Sequence, residues 1–282
     1  MKKLKYDLRL LKSIYTIDDE EISPQNSRFS MGKLEIEDIE NFKSGRSFGL
    51  NYRDYKPIDD GKLHPLIIWI HGAGEGGNSN ITQILGNRGG VAFVSDENQE
   101  IFDKPYVLVP QCPTFWINNF IVEGKELKGE KDYTLDLLSL IEEYIRKNSN
   151  VDRNRIYIGG CSMGGYQGLK VMSLNPKLFA AGFITCPAKM IDWEQLDKIK
   201  DIPLWLIHAR EDDVVSVKNS RQISEYLKSI GGTVEYTEYK DVIIANEKYT
   251  PHASYFYTLN NIPKNIDGLD IFHWVAMQKI MK

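Results

Sequence analysis

The 282-residue sequence has little sulfur chemistry to offer: its three cysteines, Cys112, Cys161 and Cys186, are too few for a disulfide framework and lack the paired spacing of a metal site. Reduced, mostly buried thiols and no metal follow. No apolar run approaches the roughly 20 residues that a membrane span needs. After the basic start Met1–Lys5, the stretch Tyr6–Ser13 is interrupted by Asp7, Arg9 and Lys12, so the uninterrupted apolar core of a signal peptide is missing. A cytoplasmic protein without a membrane segment is the expectation. With 35 basic and 39 acidic residues the formal charge is −4 and there is no basic run, which removes the electrostatic case for nucleic acid or an anionic membrane. No Gly-Lys-Ser/Thr follows the glycine-rich stretch at 72–77, so the phosphate loop of nucleotide triphosphatases is excluded as well. A small-molecule partner remains; oligomeric state is not readable.

What is present reads as one α/β unit. Repeats, low-complexity segments and linkers are absent, so residues 1–45 are taken as an N-terminal extension or edge strands of the same domain. Residues 46–282 form the main domain. Ser47–Tyr55 alternates as an antiparallel strand, and Pro57–Lys62 reads as a turn. From Pro65 onward strand and helix patterns alternate. Strands are expected at Leu66–His71, Tyr106–Val109, Arg155–Gly159, Phe179–Ile184, Leu204–His208 and Thr233–Tyr239. Helices are expected over Asp132–Lys147, with Leu135, Leu138, Ile141 and Ile145 on one face, over Val217–Ile230 before Gly231-Gly232, and over Leu269–Met281. That order predicts a mainly parallel sheet with helices on both faces.

The chemistry centres on Gly160-Cys161-Ser162-Met163-Gly164, a G-x-S-x-G turn between the strand Arg155–Gly159 and a helix-compatible stretch from Gln167. A serine at the tip of such a turn takes a strained backbone, and side chains at 160 and 164 would clash there. Ser162 is therefore the candidate nucleophile, and the Met163 N–H one oxyanion donor. Cys161 should be buried beneath the turn.

A second glycine-rich segment, His71-Gly72-Ala73-Gly74-Glu75-Gly76-Gly77, follows the first core strand and supports two readings. Gly72, Gly74 and Gly77 match the dinucleotide fingerprint, with Asp96 about 20 residues on as its acid, which would make the protein an oxidoreductase. The segment after Gly77 is short and polar, however, and Gly86 breaks it, whereas a pyrophosphate needs a well-formed helix N-terminus. The other reading takes the loop as the oxyanion loop of a hydrolase, with Ala73 supplying the second N–H, and Gly74 as the near alternative donor and a candidate substrate-binding residue.

A serine hydroxyl needs a general base, and the base needs a carboxylate. In this architecture they follow the serine in the order acid, then histidine. The acidic turn after Leu204–His208 offers Asp212, with Asp213 as the alternative. His252, in the segment Thr250–Ser254 after the last strand, is the base; His273 reads as a helix-face residue, and His71 as a residue that orders its loop. Trp116 and Tyr166 are the aromatic candidates for a substrate pocket, beside Phe115, Phe120 and Trp193.

Several pieces together resemble the α/β-hydrolase superfamily, and within it the esterase and peptidase group related to polyhydroxybutyrate depolymerases and feruloyl esterases. They are Tyr52–Tyr55, His71–Gly77, Pro110–Pro113 with Trp116, Gly160–Gly165, the strand ending at His208 before Asp212, and His252 followed by Tyr257–Asn261 and Trp274. Ala209 and Ser216 stand where the group usually has glycine and proline. The resemblance implies a Ser162–His252–Asp212 triad, no metal or organic cofactor, and hydrolysis of carboxylic esters through an acyl-enzyme. A peptidase needs the same triad and remains an alternative, as does a non-catalytic binding protein with an inactive site.

Overall fold

The computed structural model describes residues 40–122, 125–244 and 247–280; most of the N-terminal extension, residues 1–39, lies outside them. Eight strands build the main sheet: β1 (Lys43–Ser47), β2 (Leu50–Tyr55), β3 (His64–Ile70), β4 (Tyr106–Gln111), β5 (Val151–Cys161), β6 (Ala181–Thr185), β7 (Leu204–Ala209) and β8 (Val234–Tyr239). Their order is β1-β2-β4-β3-β5-β6-β7-β8. From β4 to β8 every neighbouring pair is parallel, while β1–β2 and β2–β4 are antiparallel.

Period-two alternation explains why the sheet is covered on both sides. Ile67, Trp69, Val107, Tyr157, Phe183 and Ile207 face one core. Leu66, Ile68, Leu108, Ile158, Ile184 and Leu206 face the other. The first core is an aromatic cluster in which Trp69, Phe93, Phe102, Phe183 and Phe272 lie 5.3–6.4 Å apart, centroid to centroid, along the chain of contacts. The second packs under α1 (Thr134–Lys147), α2 (Met163–Leu174), α3 (Trp193–Ile199) and α4 (Lys218–Ser229). The C-terminal α5 (Ile271–Met277) lies against the aromatic cluster.

Three expectations change. The strand read over Ser47–Tyr55 is the second arm of a hairpin: Phe48 and Gly49 both take positive φ, 49° and 78°, the turn geometry that suits strand twist. In α1 the buried stripe is Leu137, Leu140, Ile141, Tyr144 and Ile145, whereas Leu135 is 69% exposed. Two overlapping stripes satisfied the same three-and-four spacing. Tertiary contact selects one of them, through Tyr144, whose hydroxyl donates to the buried Asp54 carboxylate at 2.9 Å. Finally, α5 is shorter than expected: it starts where Asp270 accepts the His273 N–H and ends at Met277.

Candidate active site

The carboxyl ends of β3, β5, β6 and β7 converge, and the site is built on the loops that leave them. Ser162 follows β5 and caps α2 with φ 55°, ψ −121°, a conformation that costs a non-glycine residue about 1–3 kcal/mol and survives only where its surroundings enforce it. The enforcement is steric. A Cβ on Gly160 would lie 2.8 Å from the Gly164 carbonyl and 2.9 Å from Ile70 O, and one on Gly164 would come within 2.6 Å of the Ile70 carbonyl carbon. The turn is thus pressed directly against the end of β3. Tyr166 N and Ala188 N both donate to Ser162 O, at 3.1 and 3.0 Å, and Ser162 N donates to Thr185 O at 3.0 Å.

His252 sits on the short turn Pro251–Ser254, which follows β8 and the hairpin Val242–Ile244/Glu247–Tyr249. Its Nε2 is 3.1 Å from Ser162 Oγ. Its Nδ1 is 2.9 Å from Asp212 Oδ2 and 3.1 Å from Oδ1. The Asp212 carboxyl is fully enclosed and also accepts from Val214 N and Val215 N at 3.0 and 2.8 Å. Burial opposes its ionisation, but hydrogen bonds from His208, His252 and Val215 hold it well below the usual carboxylate range. Asp213 and Glu211 on the same turn are exposed. Asp212, His252 and Ser162 form one line from carboxylate to imidazole to hydroxyl, the arrangement that lets a serine lose its proton as it attacks.

Met163 opens α2 and Ala73 opens the 3-10 turn Ala73–Glu75, so each N–H belongs to a first turn that has no partner within its own helix. The crowding of Gly164 against Ile70 and His71 brings the two turns together. Behind them, His71 is buried. Its Nδ1–H donates to Gly72 O at 2.6 Å and its Nε2 accepts Cys112 N–H at 3.3 Å. Burial lowers its pKa to about 4, so the ring is neutral and fixed in one tautomer. Trp116 corrects its expectation as a pocket residue: it is fully buried, stacks on His71 at 4.9 Å and donates its Nε1–H to His71 O at 3.1 Å. Tyr166 is half-buried on the first turn of α2, with Lys170 and Lys189 over its ring at 5.8 and 5.7 Å, and Gly74 is half-exposed on the loop. Trp193 is 49% exposed and stacked on Tyr226; Phe115 is half-buried, and the Phe120 side chain lies outside what is described. His273 is on the exposed side of α5.

The glycine-rich loop does not present a dinucleotide site. Beyond Gly77 the first α-helix is Thr82–Leu85, a single turn, and Asp96 opens a separate helix capped by Ser95. Gly76 is required by packing, since a Cβ there would strike the Thr114 carbonyl.

Two parts of the site carry no sequence signal. Glu75 is buried with its carboxylate accepting Gly72 N at 2.9 Å and Asn87 N at 2.8 Å, while Asn87 Nδ2 also donates to Cys161 Sγ at 3.1 Å. Burial raises the Glu75 pKa to about 8 against those donors. His208, expected only as a strand end, reaches Asp212. Among the described residues one group has the donor types of a metal site: Cys186, Asp212 and His252, with ligand atoms within 4.8 Å of one another. Its imidazole Nδ1 is committed to the Asp212 carboxylate, so a metal there would have to displace that hydrogen bond.

The profile of the phospholipase/carboxylesterase family matches residues 58–248. Acyl-protein thioesterase 1 of Neurospora crassa is 24% identical over 198 residues, covering 61% of this chain and 77% of that protein. A thermostable esterase of known structure superposes with a TM-score of 0.70 at 34% identity over 86% of this chain; the chain spans 64% of that esterase's length. A propionate-bound thermophilic esterase from Thermogutta terrifontis shares the fold, with a TM-score of 0.53 at 14% identity over 79% of this chain and 91% of its own. Among the described residues no helix is long and apolar enough to cross a membrane. The chain belongs to the phospholipase/carboxylesterase family of α/β hydrolases.

Proposed function

We propose that the protein is a serine hydrolase that cleaves small carboxylic esters, with residues 46–282 as its catalytic domain. One observation carries the reading: a continuous hydrogen-bonded line in which Ser162 Oγ is 3.1 Å from His252 Nε2 and His252 Nδ1 is 2.9 Å from a buried Asp212 oxygen. Ser162 Oγ attacks the ester carbonyl as His252 Nε2 takes its proton, and Asp212 stabilises the imidazolium that forms. The amides of Ala73 and Met163 receive the oxyanion. His252 then protonates the leaving alcohol. Water, activated by the same imidazole, releases the acid and restores Ser162. Tyr166 and Gly74 border the acyl group. The three free thiols support a reducing, cytoplasmic setting.

The test uses a p-nitrophenyl ester and a fluorophosphonate probe. Wild type should show a burst of p-nitrophenol and label at residue 162, and Ser162→Ala should do neither. Full activity in Ser162→Ala rejects the mechanism. A panel of short acyl, feruloyl, acetylated-sugar and acyl-thioester substrates then defines the substrate; the thioesters are included because the Neurospora relative is a thioesterase.

A further inference from the structure

Asp212 is held by two imidazoles rather than one. His208, near the end of β7, is buried completely, and its Nε2 lies 3.2 Å from Asp212 Oδ2 and 3.2 Å from Val215 O. Both of those neighbours only accept, so Nε2 has to carry a proton. On the far side of the ring, Nδ1 is 2.8 Å from Oγ of Ser220, which is itself fully buried on the first turn of α4. With the hydroxyl donating to Nδ1, the ring is locked in the tautomer whose one N–H, on Nε2, faces the carboxylate and Val215 O. We propose that Ser220 and His208 are positioning residues that extend the catalytic line. Ser220 fixes the orientation and tautomer of His208, and His208 fixes the Asp212 oxygen that orients His252. This rests on the esterase reading of the site.

The physical consequence is specific. Oδ2 accepts the Nδ1–H of His252 and lies 3.2 Å from the His208 Nε2–H, which also bonds Val215 O; a charged acceptor draws such donors strongly. Deleting the His208 donor frees charge on Oδ2 for His252 and also lets the carboxylate turn. The first effect favours the protonated base, so the acid limb of kcat/KM, which reports that base in the free enzyme, moves to higher pH. The second lowers kcat. A role limited to filling the core would lower stability and leave the limb in place.

Other groups around the carboxylate are accounted for. Cys186, at the end of β6, faces it, but burial and the Asp212 charge push its thiol up, so it stays uncharged through the assay range. Ser254 meets Cys186 from the His252 turn, α4 contributes Ser220, and Glu211 and Asp213 point into solvent from the same turn as Asp212.

The experiment compares His208→Leu, His208→Gln and Ser220→Ala with wild type. It measures kcat and KM on a p-nitrophenyl ester across pH, with fluorophosphonate labelling and thermal melting. His208→Leu should lose roughly ten- to hundredfold in kcat, the size of one lost hydrogen bond to a charged group, with KM little changed and the acid limb displaced upward. His208→Gln places an amide N–H where the ring Nε2–H was and should restore the limb and most of kcat. Ser220→Ala, which frees the ring to change tautomer, should fall between them. If His208→Leu does not fold, the other two variants decide. Gln behaving no better than Leu, a limb that stays put in His208→Leu, or Ser220→Ala matching wild type each overturns the positioning role. A wild type that fails to label at Ser162 overturns instead the esterase reading beneath it.

Discussion

Gly164→Ala tests how the Ser162 turn and the 72–77 loop, the proposed nucleophile turn and oxyanion loop, share space. An added Cβ would sit 2.6 Å from the Ile70 carbonyl carbon and closer still to the Ile70 and His71 oxygens, all of them backbone atoms, and real Cβ atoms essentially never come within 3.0 Å. No rotamer change relieves that contact, so the start of α2 and the end of β3 must separate by something on the order of 1 Å. A misplacement of that size can cost about a hundredfold in rate. Forced overpacking costs about 1–3 kcal/mol of stability. Because Met163 N and Ala73 N lie on the two parts that separate, kcat should drop by about 10²–10³, the usual loss of one oxyanion donor. KM should change little, since the donors act on charge that appears only in the transition state. Gly231→Ala is the control: Gly231 ends α4 with φ +85° in open space, so alanine costs about 1–2 kcal/mol of backbone strain and leaves the rate alone. Initial rates on p-nitrophenyl butyrate and melting curves decide. A Gly164→Ala enzyme within twofold of wild-type kcat, or one whose losses match those of Gly231→Ala, would refute the steric account.

Asp212→Asn should lower kcat by about 10⁴, as expected when the base loses its orienting carboxylate, while the exposed Asp213→Asn stays near wild type; equal losses would move the acid to the neighbour. Glu75 gives a pH signature. Its folded pKa of about 8 against an ordinary 4.5 means that between those values the folded protein keeps a proton the unfolded chain releases, so stability falls as pH rises through the window. The slope is up to about 1.4 kcal/mol per pH unit. Melting temperatures of wild type should therefore decline against those of Glu75→Gln from about pH 5 to 8, and parallel curves would show that Glu75 is already ionised. Leu137→Ala should cost about 2–5 kcal/mol by opening a cavity, and Leu135→Ala less than about 0.5 kcal/mol; chemical denaturation checks both.

The difference between what could and could not be read along the chain lies in the range of the forces involved. Ser162 was legible because its two glycines answer a local backbone demand, written within five residues. The sheet strands were legible because double-sided burial makes them short apolar runs. The face of α1 was not, since Leu135 and Leu137 both fit the spacing and only packing into the second core, with the Tyr144–Asp54 hydrogen bond across 90 residues, selects between them. Trp116 was mistaken for a pocket residue because indole composition is the same at a rim and beneath a loop. Its hydrogen bond to His71 O, across 45 residues, decides the matter.

By itself the sequence determined the alternation of strands and helices and the strained serine turn, since each follows from steric or periodic rules acting over a few residues, and it pointed to Ser162, Asp212 and His252 as one candidate set. Only the tertiary structure decided which histidines meet at the Asp212 carboxylate, that Ser220 lies against one of them, and that Glu75 lies buried within the 72–77 loop. Hydrogen bonds act over about 3 Å, and a linear chain does not say which distant atoms come that close until the sheet brings its strand ends together.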